Sequence, residues 1–139
     1  MNELAMNLKA ANLKVTPQRL AIYTYLADSK EHPSVETIYN DLRADYPAMS
    51  LATVYKTVAT LRDAHLLLEF NVGEDSHRYD ANTSFHPHLI CTHCHNVYDY
   101  FTTISLKKTR NEITQATGFE VQNQEINFYG VCSKCKSEM

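Results

Sequence analysis

Two short motifs, Cys91-Thr92-His93-Cys94 and Cys132-Ser133-Lys134-Cys135, hold all four cysteines of the chain. Each CxxC pair sets two thiols on one tight turn. Two such knuckles brought together complete a tetrahedral sulfur site, the donor set and geometry that suit zinc. A site closed by four sulfurs is structural, and its binding energy is folding energy. The other common use of CxxC, thiol–disulfide exchange, belongs to a βαβ context that these pairs lack. The 37 residues between Cys94 and Cys132 exceed a compact zinc ribbon and leave room for a helix and a strand.

A second group carries nitrogen and oxygen donors. His86-Pro87-His88 puts two imidazoles at i, i+2, on one face of an extended chain. Asp99 follows on the next predicted strand, Asp80 ends the strand before, and His32 precedes Pro33 in a loop. Two or three histidines with one or two carboxylates suit a first-row divalent ion such as Fe²⁺, Mn²⁺ or Zn²⁺. Spacing does not tell whether His32 and Asp80 join the HxH pair or are surface residues of the part that precedes it. His65, His77, His93 and His95 read as ordinary exposed histidines.

The elements that must position these groups follow from periodicity and caps. Leu4, Ala5, Leu8 and Ala11 recur at helical spacing over 3–12. Thr16-Pro17 opens a helix over about 17–27 that buries Leu20, Ile22 or Tyr23, and Leu26. Ser34 caps a third helix, about 35–45, with Ile38 and Leu42 inward. Ser50 caps a fourth, about 51–64, with Val54, Val58 and Leu61 as its inner stripe and Ala52, Tyr55, Lys56 and Ala59 outward. Leu66–Val72 and Ser76–Asp80 read as strands around a turn at Gly73-Glu74-Asp75. Short helices followed by a hairpin make a winged helix, with the fourth helix as the DNA reader. Beyond it, His88–Cys91 and Asn96–Phe101 read as strands around the first CxxC. Ser105 caps a helix over about 106–117 ended by Gly118, and Phe119–Val131 reads as one long strand. The fold class is α+β: a winged-helix DNA-binding domain at 1–80, a junction at 81–85, and an α/β metal-binding domain at 86–139.

Composition bounds the function. Charged residues make up 21% and hydrophobic residues 44% of 139 residues, which is ordinary globular composition. Three glycines argue against a Gly-rich phosphate loop. No apolar run approaches the ~20 residues needed to span a bilayer, and the first residues lack the basic start of a signal peptide; a cytoplasmic protein without a membrane partner is expected. Lys+Arg is 13 against Asp+Glu 16, a formal charge of −3. This is no general polyanion binder, so DNA binding requires a few cations concentrated on one face or help from bound metal.

Four ordered motifs carry a resemblance over essentially the full length: Val15-Thr16-Pro17-Gln18-Arg19, Leu51-Ala52-Thr53-Val54-Tyr55-Lys56, His86-Pro87-His88-Leu89-Ile90-Cys91-Thr92-His93-Cys94, and Tyr129-Gly130-Val131-Cys132-Ser133-Lys134-Cys135. The chain resembles the ferric uptake regulator (Fur) family of metalloregulators, and within it the peroxide-sensing repressors (PerR). The resemblance implies a C-terminal dimerisation domain and a homodimer that represses genes when metal is bound, on double-stranded DNA with an A·T-rich inverted-repeat operator. It implies structural Zn²⁺ on Cys91, Cys94, Cys132 and Cys135, and regulatory Fe²⁺ or Mn²⁺ on His32, Asp80, His86, His88 and Asp99. Iron-sensing relatives usually carry glutamates where Asp80 and Asp99 stand. Some members carry a further site with a histidine on the last long strand; here that stretch reads Gln122-Asn123-Gln124-Glu125, with no histidine.

The same resemblance implies that peroxide acts through iron-dependent oxidation of His32 or His86, after which the modified ligand loses metal and the repressor leaves DNA. The protein is consumed by this reaction and is not an enzyme. Expected DNA contacts are Lys14 and Arg19 to the backbone or minor groove and Tyr55 and Lys56 in the major groove, with Tyr55 against a thymine methyl. The alternatives are an iron-responsive repressor with the same ligands, a zinc- or manganese-sensing relative, a metal-dependent hydrolase, and a zinc-bearing interaction module without DNA binding.

Overall fold

The computed structural model describes residues 2–73, 76–102 and 105–139, which form two compact units, Met1–Thr83 and Ser84–Met139. The first unit runs α1 (Glu3–Ala10), α2 (Pro17–Asp28), α3 (Val35–Leu42), α4 (Leu51–Asp63), β1 (Leu68–Asn71) and β2 (His77–Asp80). Its helices begin where a short polar side chain takes up a free backbone N–H. Asn2, Thr16, Ser34 and Ser50 accept from the amides of Ala5, Arg19, Thr37 and Thr53, each cap contributing about 1 kcal/mol. The inner stripe Val54, Val58 and Leu61 is buried against Leu8, Ile22, Leu26 and Ile38, with Leu20 and Leu42 at the margin of that core.

β1 and β2 pair antiparallel, Leu68 opposite Asp80 and Asn71 opposite His77. Glu74 and Asp75 of the expected turn lie outside the described residues; on its flanks the Val72 amide donates to Ser76 at 2.8 Å. Glu69 ties this hairpin to the end of α4. One carboxylate oxygen takes Arg62 Nη1 at 2.5 Å and the other faces His77 Nδ1 at 3.1 Å.

The second unit contains β3 (His88–Cys91), β4 (Val97–Asp99), α5 (Lys107–Thr117), β5 (Asn127–Gly130) and α6 (Ser133–Glu138). Its sheet has the order β4-β3-β5, with β3 antiparallel to β4 and parallel to β5. Two expectations need correction, and one element lies beyond them. The long strand over 119–131 contracts to Asn127–Gly130. Its partner β3 is only four residues long, bounded by Pro87, which has no N–H to donate, and by the Cys91 turn. Among the described residues the pairing ends with the His88 amide donating to the Ile126 carbonyl at 3.1 Å, and Gln124 accepts from Arg110 of α5 at 2.9 Å. Ser105 does not cap α5, whose N-cap is Leu106 with no side-chain bond. The terminal helix α6 was not anticipated; Cys132 caps it, its sulfur accepting from the Cys135 amide. Gly118 ends α5 in the left-handed region at φ 71°, as its position suggested.

Tyr79 of β2 is buried, and desolvation pushes its phenol up to about 12. Between the unfolded value of about 10 and the folded one, the folded state holds the extra proton, so stability falls as pH rises. The contribution is intact below pH ~10 and lost on the way to pH ~12. Urea melts across this window will show a decline that Tyr79→Phe makes shallower; parallel declines in both proteins would refute the assignment.

Candidate metal centres and nucleic-acid interface

The sulfur site is built by one strand register. Cys91 ends β3 opposite Gly130 of β5, so the chain leaving β5 reaches Cys132 two residues later. The Thr92 amide donates to the Gly130 carbonyl at 2.8 Å, and the His95 amide closes the first knuckle on the Cys91 carbonyl at 2.9 Å. All four sulfurs lie within 4.8 Å of one another, with Cys94 and Cys132 3.9 Å apart. Tetrahedral zinc with Zn–S of about 2.3 Å requires S···S of about 3.8 Å.

Electrostatics fit a cation here. The amides of Cys94 and Cys132 point at the Cys91 sulfur and pull its thiol down to about 5. The Cys135 amide lowers Cys132 in the same way. Cys135 goes the opposite way, to about 12, because it is buried and faces the other sulfurs. The site is therefore prepared for thiolates but resists the last ionisation without counter-charge, and a divalent metal supplies that charge.

In the same unit His88 lies opposite Asp99 in the β3–β4 register. Asp99 Oδ1 is 3.0 Å from His86 Nε2 and 3.4 Å from His88 Nε2. The His86 ring stacks on Phe101 at 5.0 Å and lies 4.5 Å from the His88 ring. His86 Nδ1 is 2.7 Å from the Ser84 carbonyl. A carbonyl only accepts, so Nδ1 carries the proton and the lone pair of a neutral ring sits on Nε2, turned toward Asp99. A cation shared between Nε2 and the carboxylate, whether a proton or a metal, suits this contact, and two imidazoles with an aspartate are a donor set for a first-row divalent ion.

The first unit holds a second nitrogen–oxygen pair. His32 Nε2 is 3.1 Å from Asp80 Oδ2, and both residues are buried. Asp80 Oδ1 accepts from the Asn82 amide at 2.9 Å. The His32 ring tilts against Phe70 at 5.8 Å. The surface reading of these two residues is thus set aside. Of the other histidines, His77 faces Glu69, while His65 and His95 occupy turn positions at φ 63° and 62°.

The outward face of α4 presents exposed Ala52, Tyr55 and Lys56. The Tyr55 hydroxyl donates to Glu36 of α3, which raises the phenol and lowers the carboxyl from their ordinary values. Arg19 Nη1 donates to the Lys14 carbonyl at 2.7 Å, so the two residues form one local structure at the start of α2. Sequence reasoning missed Glu36 and also Arg78, which bonds the loop bearing His32; a lone Glu or Arg in a strand or first helical turn gives no signal of its partner.

Replacing one knuckle sulfur tests the first site. Cys132→Ser is expected to drop zinc from about one to near zero per chain by plasma mass spectrometry. The second unit should then lose its protection from hydrogen exchange, as structural zinc sites do. Full zinc content would overturn the assignment.

Comparisons with known proteins converge on one family. The sequence model of the Ferric uptake regulator family matches residues 10–129. The chain is 46% identical over 138 residues to the transcriptional regulator PerR of Clostridium acetobutylicum, covering 99% of both chains. It is 36% identical to the peroxide operon regulator of Bacillus subtilis, over 99% of this chain and 94% of that one. Among solved structures it is similar to the Campylobacter jejuni peroxide stress regulator (TM-score 0.72, 34% identity, 97% of this chain and 100% of that one). It is also similar to the ferric uptake regulator of Pseudomonas aeruginosa with manganese (TM-score 0.77, 25% identity, 95% and 99%). With a helical unit ending in two wing strands, and an α/β unit carrying four clustered cysteines, the chain belongs to the ferric uptake regulator family.

Proposed function

We propose that the chain is a peroxide-responsive, metal-dependent transcriptional repressor that binds an A·T-rich inverted-repeat operator as a homodimer in the cytoplasm. It is a regulator and not an enzyme. The observation that carries the reading is the ligand set, three histidines and two aspartates in a chain similar end to end to relatives named as peroxide regulators. Residues 1–80 serve as the DNA-binding part, 81–85 as the junction, and 86–139 as the dimerisation and metal-binding part.

Each group has a role. Cys91, Cys94, Cys132 and Cys135 hold structural Zn²⁺. His32 and Asp80 supply two ligands from the first unit, and His86, His88 and Asp99 supply three from the second, to one regulatory Fe²⁺ or Mn²⁺. Shared ligation restrains the angle between the units, and in a dimer that sets the separation of two α4 helices against the half-site spacing. A 100-fold gain in operator affinity asks for only about 2.7 kcal/mol of coupling.

Support for a homodimer comes from the second unit's surface. Tyr98, Phe128, Tyr129 and Val131 are exposed along a groove of about 510 Å³ beside the sheet, and α5 buries none of its side chains. Apolar faces of this kind mark association surfaces.

Held by these residues, Fe²⁺ would supply reducing chemistry toward peroxide that Mn²⁺ would not. His32 and His86 are the ligand rings that would stand within reach of the oxidant so formed. His86 would ligate through Nε2, because Nδ1 faces the Ser84 carbonyl, so damage to that ring would leave it no second donor. On DNA, Lys56 and Tyr55 enter the major groove while Lys14 and Arg19 meet the backbone or minor groove.

The deciding measurement is intact mass and peptide mapping of anaerobically iron-loaded protein before and after a small excess of H₂O₂, with a Mn²⁺ control. One added oxygen on His32 or His86, with iron only and with loss of operator binding, is expected. Unmodified histidines in protein that still binds DNA with iron would make it an iron-responsive repressor. Separately, Lys56→Ala should weaken operator binding at least tenfold at matched salt and leave Mn²⁺ uptake unchanged; equal operator affinity would remove Lys56 from the interface.

A further inference from the structure

His32 occupies the left-handed region at φ 53°. A residue with a Cβ rarely adopts that conformation, and the following Pro33 further restricts the backbone before it. Such a conformation persists only when its surroundings hold it. The holding group is Arg78 of β2. Its Nε donates to the His32 carbonyl, and its Nη2 donates to the Glu31 carbonyl at 2.5 Å. One planar fork thus grips two successive carbonyls, a geometry that guanidinium provides and ammonium does not.

The placement on β2 gives this grip a purpose. Arg78 and Asp80 stand at i, i+2 on one face of the strand. Arg78 fixes the backbone of His32 while Asp80 meets its side chain, at 3.1 Å from Nε2. Phe70, opposite Arg78 in the β1–β2 register, supplies the ring that the imidazole leans on. The backbone, the ring and Nε2 of His32 are therefore all referred to one hairpin.

We propose that Arg78 is a positioning residue for the regulatory metal site: its guanidinium fork holds the 31–32 segment in the left-handed turn that aims His32 Nε2 at Asp80. The inference rests on the reading of His32 and Asp80 as metal ligands. Without the fork, residues 29–34 must find a rare conformer each time metal binds, and affinity falls by the fraction of time they spend there. Arg78 touches no metal, and Arg78→Lys, which keeps charge but not the fork, retains only part of the effect.

Three measurements on the zinc-loaded full chain test this. In metal-free protein, hydrogen exchange across 29–34 should quicken at least tenfold in Arg78→Gln, with zinc content and the melting of α2 and α4 unchanged. Titration with Mn²⁺, read by electron paramagnetic resonance of the free ion, should show at least tenfold weaker binding, with Arg78→Lys between. After iron and peroxide, peptide maps should show the ratio of His32 to His86 oxidation falling, whereas a general loss of structure lowers both together. Should Arg78→Gln fail to fold, Arg78→Lys carries the same comparison. Unchanged exchange, or unchanged Mn²⁺ affinity beside a wild type that binds it, overturns the clamp. A wild type whose Mn²⁺ uptake is indifferent to His32→Ala overturns the metal reading itself, and the role of Arg78 with it.

Discussion

Four sulfurs within 4.8 Å of one another are the constraint on which the second unit depends. The unit has little else to hold it. Among its described residues the buried apolar set is Pro87, Ile90, Cys91, Val97 and Cys135, and two of these are the sulfurs' own residues. A domain this small rarely closes on so thin a core without a staple. Structural zinc contributes on the order of 10 kcal/mol in small domains, as much as the burial of these few side chains together, at about 2 kcal/mol each. The sheet, the knuckles and the last helix are then one object. The parallel pairing of β3 and β5 brings the two CxxC turns together, and on the proposed reading a metal held by them would keep that pairing closed.

That dependence reaches the regulatory ligands through four residues. β3 begins at His88 and ends at Cys91. Its first residue pairs with Asp99 on one side and Asn127 on the other, and its last pairs with Gly130 beside the second knuckle. Loosening the sulfur end therefore loosens the register that sets His88 against Asp99. In the first unit β2 carries Arg78, Tyr79 and Asp80 in succession. On the proposed reading, two donors from one unit and three from the other make one ion's coordination. The second unit's two imidazoles and carboxylate leave coordination positions open on a first-row divalent ion, and His32 and Asp80 would fill two of them, so full coordination is coupled to the arrangement of both.

Much of this was legible because the signals were local. Ser34 and Ser50 announce their helices by type and position, and Val54, Val58 and Leu61 announce a buried stripe by spacing. The two CxxC turns announce a sulfur site. What was not legible depends on pairing partners distant in sequence. Phe119–Val131 looks like a strand over its whole length, but a strand is as long as its neighbour, and Pro87 cuts the neighbour short. Ser105 has the right type for a cap and stands one residue too early. His32 and Asp80 are 48 positions apart and only the hairpin's return brings them to 3.1 Å. Arg78 and Glu36 act through a carbonyl and a hydroxyl, which no residue pattern advertises.

The charge of the chain bears on why such a switch works. Phosphate contacts give affinity without regard to sequence, and a protein rich in them binds DNA whether or not it carries metal. Here the formal charge is −3, and Glu36, held ionised by the Tyr55 hydroxyl, sets a carboxylate beside the outward face of α4. That carboxylate repels phosphate, which on the proposed reading favours Tyr55 against a base edge over the backbone. On the proposed reading this keeps background affinity low. When most of the binding comes from a few contacts that require correct spacing of two helices, a coupling of about 3 kcal/mol moves occupancy by more than a hundredfold. The same coupling added to a strongly basic protein would change little, because the site would be filled in both states.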